Sequence, residues 1–163
     1  MLAPPPVRSL DGLRQARLLA LAVPVVLLGG ALLSEYVGKL YPCEMCWWQR
    51  YPHAAAILVA IAACASPLAA PRTRLLTYIA AALIAVSGAI GAFHAGVEYG
   101  WWEGLTTCTT SGATSLDDIM AVPLVRCDQV QWSLAGISLA GFNALISLGG
   151  ALAIALLTRR KTA

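Results

Sequence analysis

Four long stretches of this chain carry almost no charge, and the charged residues collect between them. The stretches run from about Leu18 to Val37, Tyr51 to Ala65, Leu75 to Ala95 and Leu134 to Leu157. Most are near the roughly 20 apolar residues that a helix needs to cross the hydrocarbon core of a bilayer. In lipid every backbone polar group must be satisfied internally, which leaves helices or a closed barrel as spanning structures. Segments of this length predict helices. Charged residues make up 12% of the 163-residue chain and apolar ones 59%, whereas a soluble domain carries roughly a quarter charged. The expectation is an all-α membrane protein, an antiparallel four-transmembrane-helix bundle forming a single domain over residues 1–163. The connector from Pro67 to Arg74 is brief, so the second and third spans must be antiparallel neighbours. The first span is long enough to remain as an anchor, and no cleavable leader is read ahead of it.

Basic residues orient the bundle. Arg8, Arg14 and Arg17 precede the first span, Arg72 and Arg74 lie between the second and third, and Arg159, Arg160 and Lys161 follow the fourth. Only Lys39, Arg50 and Arg126 fall on the opposite side, three of eleven. That bias places both termini in the cytoplasm. Trp47, Trp48, Trp101, Trp102 and Trp132 all fall at the other, outer edge, where an aromatic ring satisfies both its apolar body and its polar tip. The lipid bilayer is therefore one partner. Nucleic acid is not, because the basic residues are split between loops and form no stripe to follow a phosphate backbone. The second outer loop, about Gly96 to Gln131, is the one sizeable polar segment. In it Ser115 resembles an N-cap before Asp117 and Asp118, and Leu116, Ile119, Met120 and Val122 suit a short interfacial helix.

Four of the five cysteines lie on the outer side. Cys43 and Cys46 form a CxxC in the first outer loop, a small ring whose disulfide is made and broken readily when a positive field lowers a thiol pKa. If the second helix begins near Cys46, that sulfur lies by a helix N-terminus, which favours a thiolate, and Arg50 follows one turn later on the same face. Pro52 then either delays the helix start or kinks its first turns. A permanent loop brace and half of a four-thiolate zinc site are the other readings of this pair. An oxidising compartment favours disulfides over metal, so no metal is assigned. Cys108 and Cys127, taken alone, read as a static loop staple worth roughly 3 kcal/mol. Beside a CxxC on the same face, exchange between the two pairs becomes possible, since a thiolate needs only an accessible disulfide sulfur. Cys64 lies low in the second span and reads as a small core residue. Arg50 either snorkels to headgroups or stabilises an anion beside Cys46. His94 and Glu98 share a helix face and either pair with each other or contact a cofactor, whereas His53 reads as interface packing.

Pro42-Cys43-Glu44-Met45-Cys46-Trp47-Trp48-Gln49-Arg50 resembles the P-C-x-x-C-x-x-x-R motif of the DsbB family of bacterial disulfide-bond formation proteins. Cys127-Asp128-Gln129-Val130-Gln131-Trp132 and Gly91-Ala92-Phe93-His94-Ala95-Gly96-Val97-Glu98 are similar to that family's segments at the fourth and third spans. The resemblance implies an inner-membrane thiol:quinone oxidoreductase. It would reoxidise a DsbA-like periplasmic thiol oxidase and pass the electrons to ubiquinone or menaquinone. It further implies that Cys108 forms the mixed disulfide with that partner and that Cys127 is its companion. Cys43 would exchange with Cys127, Cys46 would meet the quinone as thiolate, and Arg50, with His94, would bind the cofactor. Two other classes compete. A bis-His haem protein using His53 and His94 would leave four cysteines unexplained, and the CxxC lacks the His of a c-type haem attachment. A non-catalytic, disulfide-stapled four-helix scaffold would have disulfides that resist exchange. The vitamin K epoxide reductase group shares the quinone chemistry but places its CxxC late in the bundle.

Overall fold

A computed structural model describes residues 7–105 and 125–159. Four helices account for most of them: α1 (Val7–Tyr36), α2 (Glu44–Ala65), α3 (Pro71–Glu98) and α4 (Leu139–Arg159). Three are long and apolar enough to cross a membrane, namely α1, α3 and α4. The exception is α2, because Trp48-Gln49-Arg50-Tyr51-Pro52-His53 occupies its first third and leaves only about a dozen apolar residues behind it. A fourth apolar span by composition is thus not what α2 provides. The predicted interfacial helix around Leu116–Val122, and Cys108 with it, lies outside the described residues.

Helix ends follow local chemistry. Pro71 opens α3, where a missing N–H costs nothing and a fixed φ suits the first turn. The same helix closes with a Schellman turn: Gly100 takes φ +70, its N–H reaches Val97 O at 3.1 Å, and the Trp101 N–H reaches Gly96 O at 2.8 Å. At the end of the bundle remote from Cys43, Arg17 donates to the carbonyls of Cys64 and Ser66, and Arg74 donates to that of Thr158. Both guanidiniums meet the negative end of a helix dipole. The fourth span was expected to begin at Leu134. Instead β1 (Ser133–Leu134) and β2 (Ile137–Ser138) form a two-residue hairpin, with Ala135 and Gly136 both at positive φ, and α4 starts only after it. Tyr99 pins this hairpin to the end of α3: its hydroxyl donates to Gly136 O at 2.8 Å and accepts from Ser138 N at 2.9 Å.

The packing is inverted relative to a water-soluble bundle. Ala16, Ala20, Ala56, Ala60, Ala80, Ala81 and Ala151 fill the centre with Ile84 and Ile154. Large apolar side chains point outward instead, Leu58 being 70% and Val26 68% exposed. Small residues let backbones approach where no hydrophobic force pulls helices together. The α3–α4 contact shows it best. A Cβ on Gly91 would lie 3.0 Å from Ala140 O and 3.1 Å from Ala144 N, so only glycine fits. This close approach sets Asn143 of α4 against α2 and α3, which matters below.

Candidate active site

The first three turns of α2 carry Cys46, Gln49, Arg50 and His53, spaced i, i+3, i+4 and i+7, so all four lie along one stripe. The helix begins despite Pro52, which sits inside it. Cys43 is its N-cap, and the Cys43 sulfur accepts from the Cys46 N–H at 3.3 Å. The stripe faces a cavity of about 250 Å³. Ala31 and Ser34 of α1 and Phe142 of α4 contribute to its other walls. Trp132 and Arg126 reach it from the loop ahead of α4.

The sulfurs of Cys43 and Cys46 are 2.9 Å apart, a thiol contact and not a bond, with Cys43 donating. The hydrogen bond to Cys46, then burial, then the charge on Cys46 all push the Cys43 thiol well above the ordinary range. Cys43 therefore holds its proton the more firmly of the two, and a charge on the pair would sit on Cys46. Cys127 is fully buried and packs in the same cluster as Cys43, Met45 and Val97. One cysteine of each predicted pair is thus brought to one place. Cys64 is not; eighteen residues of helix, about 27 Å, separate it from Cys46, and its thiol donates to Arg17 O at 3.7 Å.

His94 stands across from the CxxC on α3, 2% exposed. Gln49 fixes its tautomer. The Gln49 amide N–H₂ donates to Met45 O at 3.0 Å, which settles the amide's orientation, and to His94 Nδ1 at 2.9 Å. The imidazole's one proton is then on Nε2, 3.5 Å from the Cys43 sulfur, and His94 also hydrogen-bonds the Cys127 backbone. The expected His94–Glu98 pairing is weak: the carboxylate is 3.9 Å away, beyond hydrogen-bonding reach, and Glu98 bonds Ser138 instead.

Arg50 neither snorkels nor stands alone. It donates to Glu35 at 2.5 Å and to Ala31 O at 3.3 Å, and its guanidinium lies 4.8 Å over the Trp47 ring. Both partners of the Arg50–Glu35 pair are largely buried. The sequence reading used Glu35 only to mark the end of a span. His53 was read as interface packing and is instead 3% exposed, with Nε2 at 2.9 Å from Asn143 Oδ1. Asn143 ties the whole set together. Its amide donates to Gln49 Oε1 at 2.8 Å and to Ser87 O at 3.1 Å, while its oxygen also accepts from Ser147 at 2.9 Å. Gln49, Ser87, Asn143 and Ser147 were not picked from the sequence. The available signal was strongest for Asn143, an amide inside an apolar stretch, where such a side chain needs a partner from another helix.

The donors of Cys43, Cys46 and His94 lie within 4.8 Å of one another, close enough to suggest a soft metal ion. A tetrahedral ion at about 2.3 Å from each sulfur would hold the two sulfurs about 3.8 Å apart. Here they are 2.9 Å apart, closer than such an ion would hold them. Haem between His53 and His94 fares worse, because Gln49 and Asn143 bridge the space between the two imidazoles. The arrangement suits thiol chemistry beside a largely apolar cavity.

A family model described as Disulfide bond formation protein DsbB matches residues 13–157, most of the chain. No curated protein and no solved structure matches it. From that match, the helices and the cysteine cluster together, the chain belongs to the DsbB family and is with it a multi-pass membrane oxidoreductase of disulfide formation.

Proposed function

We propose that this protein is a protein-dithiol:quinone oxidoreductase of the bacterial inner membrane that regenerates a DsbA-like periplasmic thiol oxidase. The observation that carries the proposal is the opening of one cavity onto Cys46 and Arg50, with Cys43 and Cys127 packed immediately behind. In this reading α2 completes a four-span, single-domain bundle with both termini cytoplasmic and the cysteine-bearing loops periplasmic. Polar side chains in its first third are satisfied by α1, α3 and α4, so the helix can lie at membrane depth despite its composition.

The partner's thiolate attacks a Cys108–Cys127 disulfide at Cys108, forming the mixed disulfide and releasing Cys127 as thiolate. Attack of the Cys127 thiolate on the Cys43–Cys46 disulfide at Cys43 then moves the reducing equivalents inward and releases Cys46, which suits the burial of Cys127 and Cys43 in one cluster. Cys46 is left as thiolate against the cavity, with Arg50 to stabilise negative charge there and His94 to hold Cys43 and the Cys127 backbone in place. A bound ubiquinone or menaquinone would supply a two-electron acceptor in that cavity. Electrons and protons balance without a further reactant: the partner's dithiol becomes a disulfide, and its two electrons and two protons convert quinone to quinol.

The test is quinone reduction followed by absorbance, using purified protein, a ubiquinone analogue and a reduced DsbA-like donor. Turnover is expected in the wild type and in Cys64→Ala, and none in Cys46→Ser or Cys108→Ser. An inert wild type with intact disulfides would leave a stapled scaffold as the better account.

A further inference from the structure

His53 lies one turn deeper than Arg50 on the cavity-lining face of α2, about 5–6 Å away at Cβ. The cavity wall thus carries a further polar side chain, one turn below Arg50. An ionisable side chain at this depth is a functional feature by default, and its partners define what it can do.

Those partners fix its hydrogen. The Ser87 carbonyl can only accept, so the Asn143 amide turns its N–H₂ toward Ser87 and Gln49. Asn143 Oδ1 therefore faces His53 Nε2 at 2.9 Å, and the ring proton sits on Nε2. Ser147 Oγ lies 3.5 Å from the same nitrogen and is itself committed to Asn143. Among the described residues no carboxylate pairs with the ring, and the nearest charge on its own helix is the cation of Arg50, so nothing there favours a second ring proton. Nδ1 then carries a lone pair. It is buried with no hydrogen-bond partner among the described residues, a state that native structures avoid unless a ligand or water completes it.

We propose that His53 Nδ1 accepts a hydrogen bond from a hydroxyl of the reduced quinone, making this end of the cavity selective for quinol over quinone. A quinone carbonyl offers only lone pairs and would meet the Nδ1 lone pair head on, whereas a quinol hydroxyl offers the donor that Nδ1 lacks. The inference rests on the quinone reading of the cavity. By linkage, tighter binding of the reduced form makes bound quinone a stronger oxidant of Cys46, by about 30 mV for each tenfold preference.

Binding itself, without turnover, is the readout. Reduced protein is titrated with a water-soluble ubiquinol analogue and oxidised protein with the matching quinone, following fluorescence quenching of Trp132 at the cavity wall. His53→Leu is expected to weaken quinol binding about five- to tenfold, the worth of one hydrogen bond, and to leave quinone binding within about twofold. His53→Asn, which can place an oxygen near the Nδ1 position, should recover most of the loss. Equal weakening of both ligands, or of neither, overturns the assignment. The wild type supplies a check that needs no variant. With only two histidines in the chain, ¹⁵N spectra of labelled imidazoles should show one unprotonated nitrogen shifting upfield on quinol addition and not on quinone addition. A signal unmoved by saturating quinol also overturns the assignment. Should the wild type bind neither ligand saturably, the quinone reading of the cavity fails first, and with it the ground for this role of His53.

Discussion

Replacing Gln49 with leucine probes the site at its most connected side chain. The amide gives two hydrogen bonds, to Met45 O and His94 Nδ1, and accepts one from Asn143. The three losses are not equal. Met45 O is a helix carbonyl with its own backbone donor, and the Asn143 amide retains Ser87 O and Oγ. Only His94 Nδ1 is orphaned, at 2% residue exposure. An unsatisfied buried group costs about 1–3 kcal/mol, while interhelical hydrogen bonds in membrane proteins average nearer 0.6 kcal/mol. Leucine is similar in volume, so no cavity term is added. The sum is about 2 kcal/mol, most of it assigned to the Gln49–His94 contact. A double-mutant cycle isolates that share, using detergent-driven unfolding of wild type, Gln49→Leu, His94→Leu and the double variant. Gln49→Leu should cost about 1 kcal/mol less when His94 is already leucine. Without Gln49 the imidazole is also free to change tautomer and point a lone pair at Cys43, so disulfide exchange at Cys43 should slow several-fold. Additive costs in the cycle, or unchanged exchange, would refute the claim that Gln49 sets the state of His94.

Three further outcomes can be checked independently. Arg50→Lys keeps the charge beside Glu35 but gives up the planar fork, including the bond to Ala31 O and the face of Trp47; it should cost about 1 kcal/mol of stability and lower quinone reduction at least tenfold, whereas wild-type turnover would show that charge alone suffices. Gly91→Ala places a Cβ 2.9 Å from Asn143 Nδ2 and 3.0 Å from Ala140 O, so forcing α3 and α4 apart should destabilise by about 1–3 kcal/mol and disturb His53 and, through Gln49, His94 together in the imidazole spectra; an unchanged melting temperature would mean the helices yield more easily than their packing implies. In the reduced protein Cys46 should be alkylated ahead of Cys43 throughout the neutral range. A raised thiol pKa keeps Cys43 protonated and unreactive until pH climbs well past the ordinary thiol value, so mass spectrometry showing Cys43 modified first would reverse the assignment of charge within the pair.

Length and composition made the helices legible, and the spacing of the CxxC and Arg50 made it legible that Cys46 and Arg50 share the first turns of α2. Boundaries were less legible for identifiable reasons. The α1 helix runs back to Val7, through arginines that a hydropathy reading treats as flank. The start of α4 moved because Ala135 takes positive φ, a turn chemistry usually signalled by Asn or Gly at that position. The site was half visible. Reactive residue types announce themselves, so Cys43, Cys46, Cys127, Arg50 and His94 could be picked without coordinates. Their supports could not be assigned, because Glu35, Gln49, Ser87 and Asn143 acquire meaning only once four helices bring them within 3 Å of a partner.

The helix to which the chemistry is proposed to belong is also the one least suited to lipid, and the two features have one cause. A guanidinium and an imidazole on α2, facing a second imidazole on α3, cannot be held at the proposed membrane depth by helices that satisfy only their own backbones. Each needs a lateral partner: Glu35 and Ala31 from α1 for Arg50, Gln49 beneath His94, and Asn143 from α4 for His53. Those partners in turn require the backbones to stand close, hence alanine and glycine in the core and bulky side chains toward the outside. Large side chains between α3 and α4 would strengthen a generic bundle in water, but here they would move Asn143 out of reach and leave His53 and Gln49 unsupported. The alanine-rich interior is therefore better understood as a condition for the polar site than as an independent packing preference, and core substitutions that enlarge a side chain should impair the redox site before they unfold the bundle.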